Sequence, residues 1–296
     1  MDLMRYINNQ KTQMNRILYL LIICFLFSCD VINPEEEVPS FVEIESFTLL
    51  ETPDVGSTNQ NITEGWIYVN NNLIGAFAEG KPFPVLEEGL VDILVDPGVH
   101  ENGIGFTPSL YPYYTRYTST AELVKGEVTK IKPEFEYREN TEFRLIQEFE
   151  NNTVFTVDRD GNEETRINYT TDGALEGVSG IIELDAANPI INAASSVVFD
   201  LPTFGVNEAW LEINFKTDVP IAIGLLTQDA GGNVTQLYGH GLNTTTIWKK
   251  VYINLKEIII NNPTPPYQVG FGAELPSGQA TGTIMIDNIK LLQFEE

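Results

Sequence analysis

The chain has 296 residues and a formal net charge of −25, with 17 Lys and Arg against 42 Asp and Glu. A charge of this sign and size repels nucleic acid and anionic lipid head groups, which excludes nucleic-acid binding and favours neutral, cationic or metal-bridged partners. Hydrophobic residues make up 43% of the sequence, enough to fill cores, and the length suits two domains of common size.

Residues 1–28 have the features of a cleaved secretory leader. Arg5, Lys11 and Arg16 give a positive beginning, and residues 17–27 form an apolar run. That run is too short for the roughly 20 residues that span a bilayer. The run leads into Leu26-Phe27-Ser28-Cys29, in which the small residue Ser28 precedes the cysteine. This segment predicts cleavage after Ser28 and lipidation of Cys29.

Two alternatives remain for this segment, an ordinary secretory signal and an uncleaved anchor. Cys24 is a poorer lipid acceptor because bulky Ile23 precedes it, and a start at Met14 would still give a compact signal. Cleavage before Cys29 removes three basic residues and one acid, which leaves 14 basic and 41 acidic residues and a net charge of −27. The mature chain then keeps no thiol beyond the acylated one, which excludes disulfides and cysteine catalysis.

An acidic tether, residues 29–40, follows the predicted cleavage point. Asp30 comes directly after Cys29, and Glu35-Glu36-Glu37 follows. A Leu-Phe-Ser-Cys end with acidic residues soon after resembles the lipoproteins of Bacteroidota, in which such a run acts as an export signal. The resemblance implies a lipid-anchored protein of the outer membrane that faces the cell exterior. The alternatives are retention on the periplasmic side and a plain solvated tether, which like charges keep extended.

The remainder of the chain is predicted to be almost entirely strand. Short runs rich in Val, Ile, Thr, Tyr and Phe alternate apolar with polar residues, and Gly, Asn, Pro or Asp separate them. The pattern predicts an all-β protein with two β-sandwich domains, residues 41–138 and residues 139–296. Residues 256–261 fit either a short helix or a strand.

The first predicted domain begins with a stretch, residues 41–50, that alternates in its first half, and a hairpin follows. Strands at 66–69 and 73–77 flank Asn70-Asn71-Asn72, whose residues tolerate positive φ. Strands at 83–86 and 90–95 follow, with Gly89 between them. This order resembles the PEGA module, which implies a small β-sandwich common on extracytoplasmic proteins and implies no chemistry.

Residues 111–117 form the most unusual stretch, with four tyrosines, one proline and one arginine. Tyrosine rings present amphipathic contact area, and tyrosine and arginine are enriched in protein interfaces. We therefore predict a partner or glycan contact through Tyr111, Tyr113, Tyr114, Arg116 and Tyr117. The alternative is a loop that folds its rings over the sandwich or against the second domain, because exposed rings are costly.

The second predicted domain ends in two characteristic segments. They are Trp248-Lys249-Lys250-Val251-Tyr252-Ile253-Asn254-Leu255 and Thr283-Ile284-Met285-Ile286-Asp287-Asn288-Ile289-Lys290-Leu291, and Ile146-Gln147-Glu148-Phe149-Glu150 opens the domain. These segments resemble the galactose-binding-like jelly rolls of carbohydrate-binding modules. The resemblance implies a jelly roll with a glycan as the expected ligand, and the fold is the safer part because one fold hosts many functions.

Strand alternation assigns the residues of two predicted strands, 208–217 and 248–255, to two faces. On residues 208–217, Leu211, Ile213 and Phe215 form the core face. The opposite face carries an aromatic ring beside polar groups on each strand, and there we predict a glycan platform of Trp210, Glu212, Asn214, Trp248, Tyr252 and Asn254. Sugar rings stack on aromatic faces, and their hydroxyls pair with polar side chains. The alternative is structural: Trp248 closes the end of the sandwich and Trp210 packs under a loop.

The jelly-roll resemblance also implies a structural calcium that joins the first and last strands. Asp287 matches the last-strand aspartate, and Glu148 or Glu150 matches a first-strand acid; the alternative is surface ion pairing. The segment Asp158-Arg159-Asp160-Gly161-Asn162 looks superficially like a calcium loop, but its glycine comes too early, which favours a hairpin. Zinc is disfavoured because His100 and His240 are the only histidines.

Catalytic motifs are missing from the sequence, which has no Gly-x-Ser-x-Gly elbow, no His-Glu-x-x-His and no phosphate-binding glycine loop. A glycosidase needs only two carboxylates about 5–10 Å apart, and so acidic a chain leaves that option open. The function we predict is a non-catalytic surface lipoprotein that binds a glycan through its jelly roll. The alternative is an accessory subunit of an outer-membrane protein complex, which binds protein partners through its sandwich faces and residues 111–117.

Overall fold

The computed structural model describes residues 37–105, 108–203, 208–229 and 231–295, together with Met14 and Arg16. Most of the predicted leader and of the acidic tether lies outside the described residues, and so does Cys29. Lipidation of Cys29 therefore stays a prediction. Within the described ranges, no helix has the length and apolar character needed to cross a membrane.

An N-terminal sandwich is built from strands between residues 40 and 135. One sheet has the order β4-β3-β6, with β7 and β8 also on β6; a second has the order β5-β1-β9, and β10 pairs with β2. Apolar side chains from the sheets meet in one core, as the alternating burial of Val91, Ile93 and Val95 shows. The strands are β1 Ser40–Ile44, β2 Thr48–Leu49, β3 Glu64–Val69, β4 Asn72–Phe77, β5 Phe83–Val85, β6 Gly89–His100, β7 Pro108–Leu110, β8 Tyr117–Leu123, β9 Val128–Ile131 and β10 Glu134–Phe135.

The predicted asparagine hairpin is confirmed between β3 and β4. Asn70 and Asn71 have φ angles of 49° and 65°, the left-handed conformation that asparagine tolerates. The two strands pair antiparallel, with Val69 opposite Asn72.

A C-terminal sandwich is built from strands between residues 141 and 294. Its six-stranded sheet has the order β13-β14-β21-β16-β19, with β11 also on β21, and its five-stranded sheet has the order β12-β15-β20-β17-β18. The elements are β11 Thr141–Gln147, β12 Val157–Asp158, β13 Asn168–Thr170, β14 Ser179–Asp185, β15 Ile190–Ala194, β16 Trp210–Thr217, β17 Ile221–Gln228, β18 Val234–Leu242, β19 Thr245–Asn254, α1 Lys256–Asn261, β20 Tyr267–Glu274 and β21 Thr281–Phe294. The predicted all-β fold class is confirmed.

Two local predictions are settled by these elements. Residues 256–261 form the helix α1 and not a strand. The hairpin predicted around Asp160-Gly161 is wrong, because β12 pairs with β15 whereas β13 pairs with β14 in the other sheet. The turn itself exists: Asp158 Oδ1 accepts hydrogen bonds from the amides of Asp160 and Gly161, which reverses the chain without pairing the flanking strands.

Candidate functional site

The two sandwiches meet over the outer face of the six-stranded sheet. Tyr111, Tyr113 and Tyr114 are buried there against the C-terminal sandwich. The ring of Tyr111 lies edge-on to Trp210, with 5.4 Å between ring centroids, and 4.6 Å from the ring of Tyr252. Such aromatic pairs add to the area burial that joins the two sandwiches.

The exposed contact surface predicted for residues 111–117 is therefore wrong for its three buried tyrosines, Tyr111, Tyr113 and Tyr114. The alternative holds, since these rings pack against the second sandwich. Arg116 is exposed and binds Asp96, with its Nε 2.6 Å from Oδ1, and Tyr117 is partly buried. A role of Arg116 and Tyr117 in partner contact stays a prediction.

A buried cluster of charges lies at the centre of this interface. The Nζ of Lys250 lies 2.6 Å from Oε2 of Glu212, and both side chains are almost completely buried. The hydroxyl of Tyr111 donates to Glu212 at 2.5 Å, and the hydroxyl of Tyr137 donates to it at 3.0 Å. Lys290 donates to the Ser57 carbonyl at 2.6 Å. Buried charges are tolerated when they are paired and hydrogen-bonded, as these are.

The surroundings shift the pKa values of this cluster. Burial opposes ionisation of Glu212, but the ammonium groups of Lys250 and Lys290 outweigh it and hold the pKa of Glu212 below its ordinary value. Burial lowers the pKa of Lys290 to about 8, although the charge of Glu212 acts in the opposite direction. The two lysines of the C-terminal sandwich thus keep Glu212 ionised where water cannot reach it.

Most of the predicted glycan platform is covered as a result. Trp210, Glu212 and Tyr252 are buried under the N-terminal sandwich, so an open platform at these residues is wrong. Asn254 lies in a separate acidic cleft of about 580 Å³, where its Nδ2 is 3.4 Å from Glu208 Oε2. Burial lowers the pKa of His240, which also lines that cleft.

Trp248 and Asn214, the other two platform residues, line one cleft of about 520 Å³ at the seam between the sandwiches. We call it the Trp248 cleft. Its walls combine carboxamides and other polar groups with a few apolar side chains, and they comprise Asn59, Gln60, Asn61, Thr63, His100, Gly103, Leu175, Asn214, Ile247, Trp248, Lys249, Lys250 and Val251. Asn214 of β16 lies opposite Lys250 of β19 in the antiparallel pair, so the two side chains share one face of the sheet. Trp248 precedes Lys250 by two residues on β19 and therefore projects from the same face.

Contacts on both sides fix the rings and amides of the cleft. The indole Nε1 of Trp248 donates to the Gly173 carbonyl at 3.0 Å, which holds the partly exposed ring. Asn214 is buried; its Nδ2 donates to Asn59 Oδ1 at 2.7 Å, whereas its own Oδ1 accepts no hydrogen bond. The side-chain Nδ2 of Asn61 donates to the Lys250 carbonyl at 3.0 Å. The wall at residues 59–61 is therefore attached to the C-terminal sandwich.

Sequence reasoning did not find residues 59–61 as part of a site. The amide-rich run Asn59-Gln60-Asn61 was visible, but turn composition alone does not tell which surface such a run faces.

A second aromatic surface also escaped the sequence analysis, on the outer face of the five-stranded sheet. Tyr238 of β18 lies over Gly270 and Gly272, and its hydroxyl donates to the Phe271 carbonyl at 3.0 Å. A Cβ at Gly272 would lie 2.8 Å from the Tyr238 ring. Burial raises the pKa of Tyr238 to about 12. The alternation Val269-Gly270-Phe271-Gly272 was the available signal, because glycine inside a strand marks a close approach.

The predicted calcium ligands accept hydrogen bonds from protein donors. Ser57 N donates to Glu148 at 2.5 Å, Val178 N donates to Glu150 at 2.9 Å, and Ser179 Oγ donates to Asp287 at 2.6 Å. Across the ranges that the structure describes, no group of three or more His, Cys, Asp or Glu side chains could hold a metal ion. A structural calcium at Asp287 with Glu148 or Glu150 stays a prediction, in which the ion would share these carboxylate oxygens with the protein donors.

The depressed pKa of Lys290 makes stability depend on pH. Between pH 8 and the ordinary value of 10.5, the unfolded chain keeps a proton that the folded chain releases. The contribution of Lys290 to stability therefore rises with pH. From pH 7 to about pH 9.5, we expect the wild type to gain about 2 kcal/mol relative to Lys290→Met. Urea unfolding at both pH values measures this difference.

Lys81→Met, at an exposed lysine of the N-terminal sandwich, is the matched control. Its difference from the wild type should stay constant between the two pH values. A pH-independent difference for Lys290→Met would contradict the depressed pKa.

Comparison with known proteins gives similarity to solved structures alone, since no protein-family model and no curated protein matches the sequence. A family 30 carbohydrate-binding module is 17% identical, with a TM-score of 0.38 over 52% of this chain and 90% of the module. The CBM22-1 xylan-binding domain of Paenibacillus barcinonensis Xyn10C is 14% identical, with a TM-score of 0.36 over 54% and 99%. The family 11 module of the Clostridium thermocellum cellulase Lic26A-Cel5E is 11% identical, with a TM-score of 0.34 over 51% and 94%. Values this low give no ground for assigning a ligand to this chain.

Proposed function

We propose that the protein is a non-catalytic, lipid-anchored saccharide-binding protein whose ligand occupies the Trp248 cleft. One observation carries this proposal. The partly exposed ring of Trp248 lines one cleft together with Asn59, Gln60 and Asn61, which carry side-chain amides. A sugar offers an apolar ring face to the indole and hydroxyl groups that pair with these amides.

The size and rigidity of the cleft support this proposal. Its volume of about 520 Å³ falls in the range of small-ligand sites. The hydroxyls of Tyr111 and Tyr137 donate to Glu212 across the interface, and Lys250 donates to the Asn59 carbonyl, so the walls of the cleft are formed before the ligand arrives. A preformed site binds more tightly because less ordering is needed on binding.

The composition of the cleft favours binding over hydrolysis. No Asp or Glu side chain is among the described residues that line it. Glycoside hydrolysis requires two carboxylates that flank the scissile bond. The uncharged amides around Asn214 suit a neutral saccharide.

The proposed location rests on the N-terminal segment. Lipidation of Cys29 would tether the two sandwiches to a membrane, and the acidic residues after it are similar to those of Bacteroidota lipoproteins on the outer face of the outer membrane. We place the protein there, with a PEGA-like first domain as a spacer between the anchor and the second domain. Metabolic labelling with a palmitate analogue, compared between the wild type and Cys29→Ala, tests the anchor. Equal labelling of both would contradict it.

Replacement of Trp248 by alanine tests the saccharide site. We expect about 2 kcal/mol weaker binding, roughly 30-fold in the dissociation constant, because a central aromatic contact is lost. Affinity electrophoresis against a panel of neutral polysaccharides identifies a ligand, and calorimetry with its oligosaccharide then gives the constants. Tyr169→Ala is the matched control, since this exposed tyrosine on β13 lines a different cavity.

A parallel Tyr238→Ala variant separates the two aromatic surfaces. Full binding by Trp248→Ala together with loss in Tyr238→Ala would move the site to the outer face of the five-stranded sheet. Binding by neither the wild type nor the variants to any saccharide in the panel would overturn the proposal.

The alternative function, an accessory subunit of an outer-membrane complex, loses its main surface in this structure. Tyr111, Tyr113 and Tyr114, three of the four tyrosines expected to contact a partner, are covered by the C-terminal sandwich.

A further inference from the structure

One end of the N-terminal sandwich carries a patch of exposed aliphatic side chains. Three chain segments contribute to it. They are the residues just before β1, the loop after β5 with the start of β6, and the turn after β8 with the first residue of β9. We call this patch the apolar pole. Its members are 44 to 78% exposed, and they are Val38, Leu86, Leu90, Val124 and Val128.

Backbone and ionic contacts hold the three segments together. Gly126 N donates to the Pro39 carbonyl at 2.9 Å, which places the turn beside the start of β1. Lys125 Nζ lies 2.9 Å from Glu88 Oε2, which joins the turn to the loop. The hydroxyl of Ser40 donates to the Glu87 carbonyl, which joins the loop to β1. These contacts gather the three segments at one end of the N-terminal sandwich.

Such a surface needs an occupant, because contiguous exposed aliphatic groups mark an interaction site. The position of the tether points to one. The first continuous range of described residues begins at Glu37, directly before Val38, and Cys29 lies nine residues before Val38 in the sequence. Nine residues reach at most about 30 Å when fully extended. An acyl anchor at Cys29 therefore holds the apolar pole close to the membrane surface.

We infer that the apolar pole docks on the lipid surface that carries the anchor, an inference that rests on the lipid anchor of the proposed function. Tethering makes the contact effectively intramolecular, so a few aliphatic side chains suffice where they would not hold a free protein.

The charges around the pole select the kind of lipid. Glu87, Glu88 and Glu127 are exposed around it, and Lys125 is paired with Glu88. This negative rim opposes anionic head groups and is compatible with zwitterionic ones.

Docking also sets the height of the Trp248 cleft. Strand β6 runs from Gly89, beside the pole, to His100, which lines the cleft. At about 3.3 Å per residue, its twelve residues place the cleft roughly 35 Å from the pole along the strand. The N-terminal sandwich then acts as a spacer of fixed length between the bilayer and the ligand.

The test uses the mature chain, residues 29–296, with Cys29→Ser and an N-terminal histidine tag bound to nickel-chelating lipid in phosphatidylcholine vesicles. Cosedimentation confirms attachment. Because no other cysteine remains, Glu127→Cys carries a single environment-sensitive fluorophore at the pole, and Glu274→Cys carries it on the C-terminal sandwich as the matched control. We expect brominated lipid to quench the label at position 127 and to leave the label at position 274 unquenched.

Two further arms test the cause of docking. With Leu86→Glu and Leu90→Glu added, we expect the docking constant to fall by about tenfold or more, since two aliphatic contacts with lipid are lost. Phosphatidylglycerol in the vesicles should also reduce the quenching. Equal quenching at positions 127 and 274, or no loss in the leucine variant, would overturn the inference and leave a protein partner as the occupant. The chelated anchor replaces the acyl chain, so failure of Cys29 lipidation or of saccharide binding would not change this readout.

Discussion

Lys250→Met is expected to lower the free energy of unfolding by about 3–5 kcal/mol, because it leaves Glu212 without its closest counter-charge in a site that water does not reach. It also removes the donor to the Asn59 carbonyl, 2.6 Å away, which weakens the wall of the Trp248 cleft. Urea unfolding at neutral pH, followed by circular dichroism, measures the loss. Lys132→Met is the control, since this exposed lysine forms a surface pair with Glu45 whose value is about 0–1 kcal/mol.

A double variant separates lost pairing from lost packing. Glu212→Gln removes the uncompensated charge and keeps an oxygen that can accept from the hydroxyls of Tyr111 and Tyr137. Combined with Lys250→Met, it should restore most of the lost stability. The double variant then loses less free energy of unfolding than the two single variants together, and this difference measures the direct interaction between Glu212 and Lys250. Additive losses in the two single variants would show that Glu212 and Lys250 do not act as a pair.

Separation of the two sandwiches is expected to have the largest effect of all. A fragment of residues 139–296 would expose Trp210, Tyr252 and Leu292 together with the charges of Glu212 and Lys290. Exposure of so large an apolar surface favours aggregation, and the charged groups would lose the partners that hold them. We expect this fragment to be insoluble or to unfold without a cooperative transition, whereas the whole chain unfolds in one step.

Cleavage of the intact chain supplies the control for this experiment. A protease site inserted between Glu139 and Asn140, both exposed, cuts the connection without disturbing the interface. We expect the two pieces to stay together in gel filtration, held by the tyrosine packing around Tyr111. A soluble, cooperatively folded fragment 139–296 would show instead that the predicted domains are independent, and that the buried face tolerates water.

Local pattern was sufficient for much of the fold. The alternation of Leu211, Ile213 and Phe215 gave the core face of β16, and these residues are buried in the core of the C-terminal sandwich. Asn70 and Asn71 gave a turn because their side chains tolerate positive φ. These features depend on neighbours a few residues away, which the sequence displays directly. The sequence analysis wrongly paired β12 with β13, whereas β12 pairs with β15 and β13 with β14. A turn signal specifies a chain reversal but not the strand that each end joins.

By itself, the sequence determined the all-β class, the two faces of each principal strand and the acidic character of the chain. The tertiary structure alone decided which polar face is covered. Strand alternation put Glu212 and Lys250 on a face outside the core and predicted that face to be open, since a charged side chain is buried only where partners satisfy it. Those partners, Tyr111, Tyr137 and Asn59, lie at least 75 residues away in the chain, and no local pattern reports them. The same long-range packing reduced the predicted ligand face to the one cleft beside Trp248.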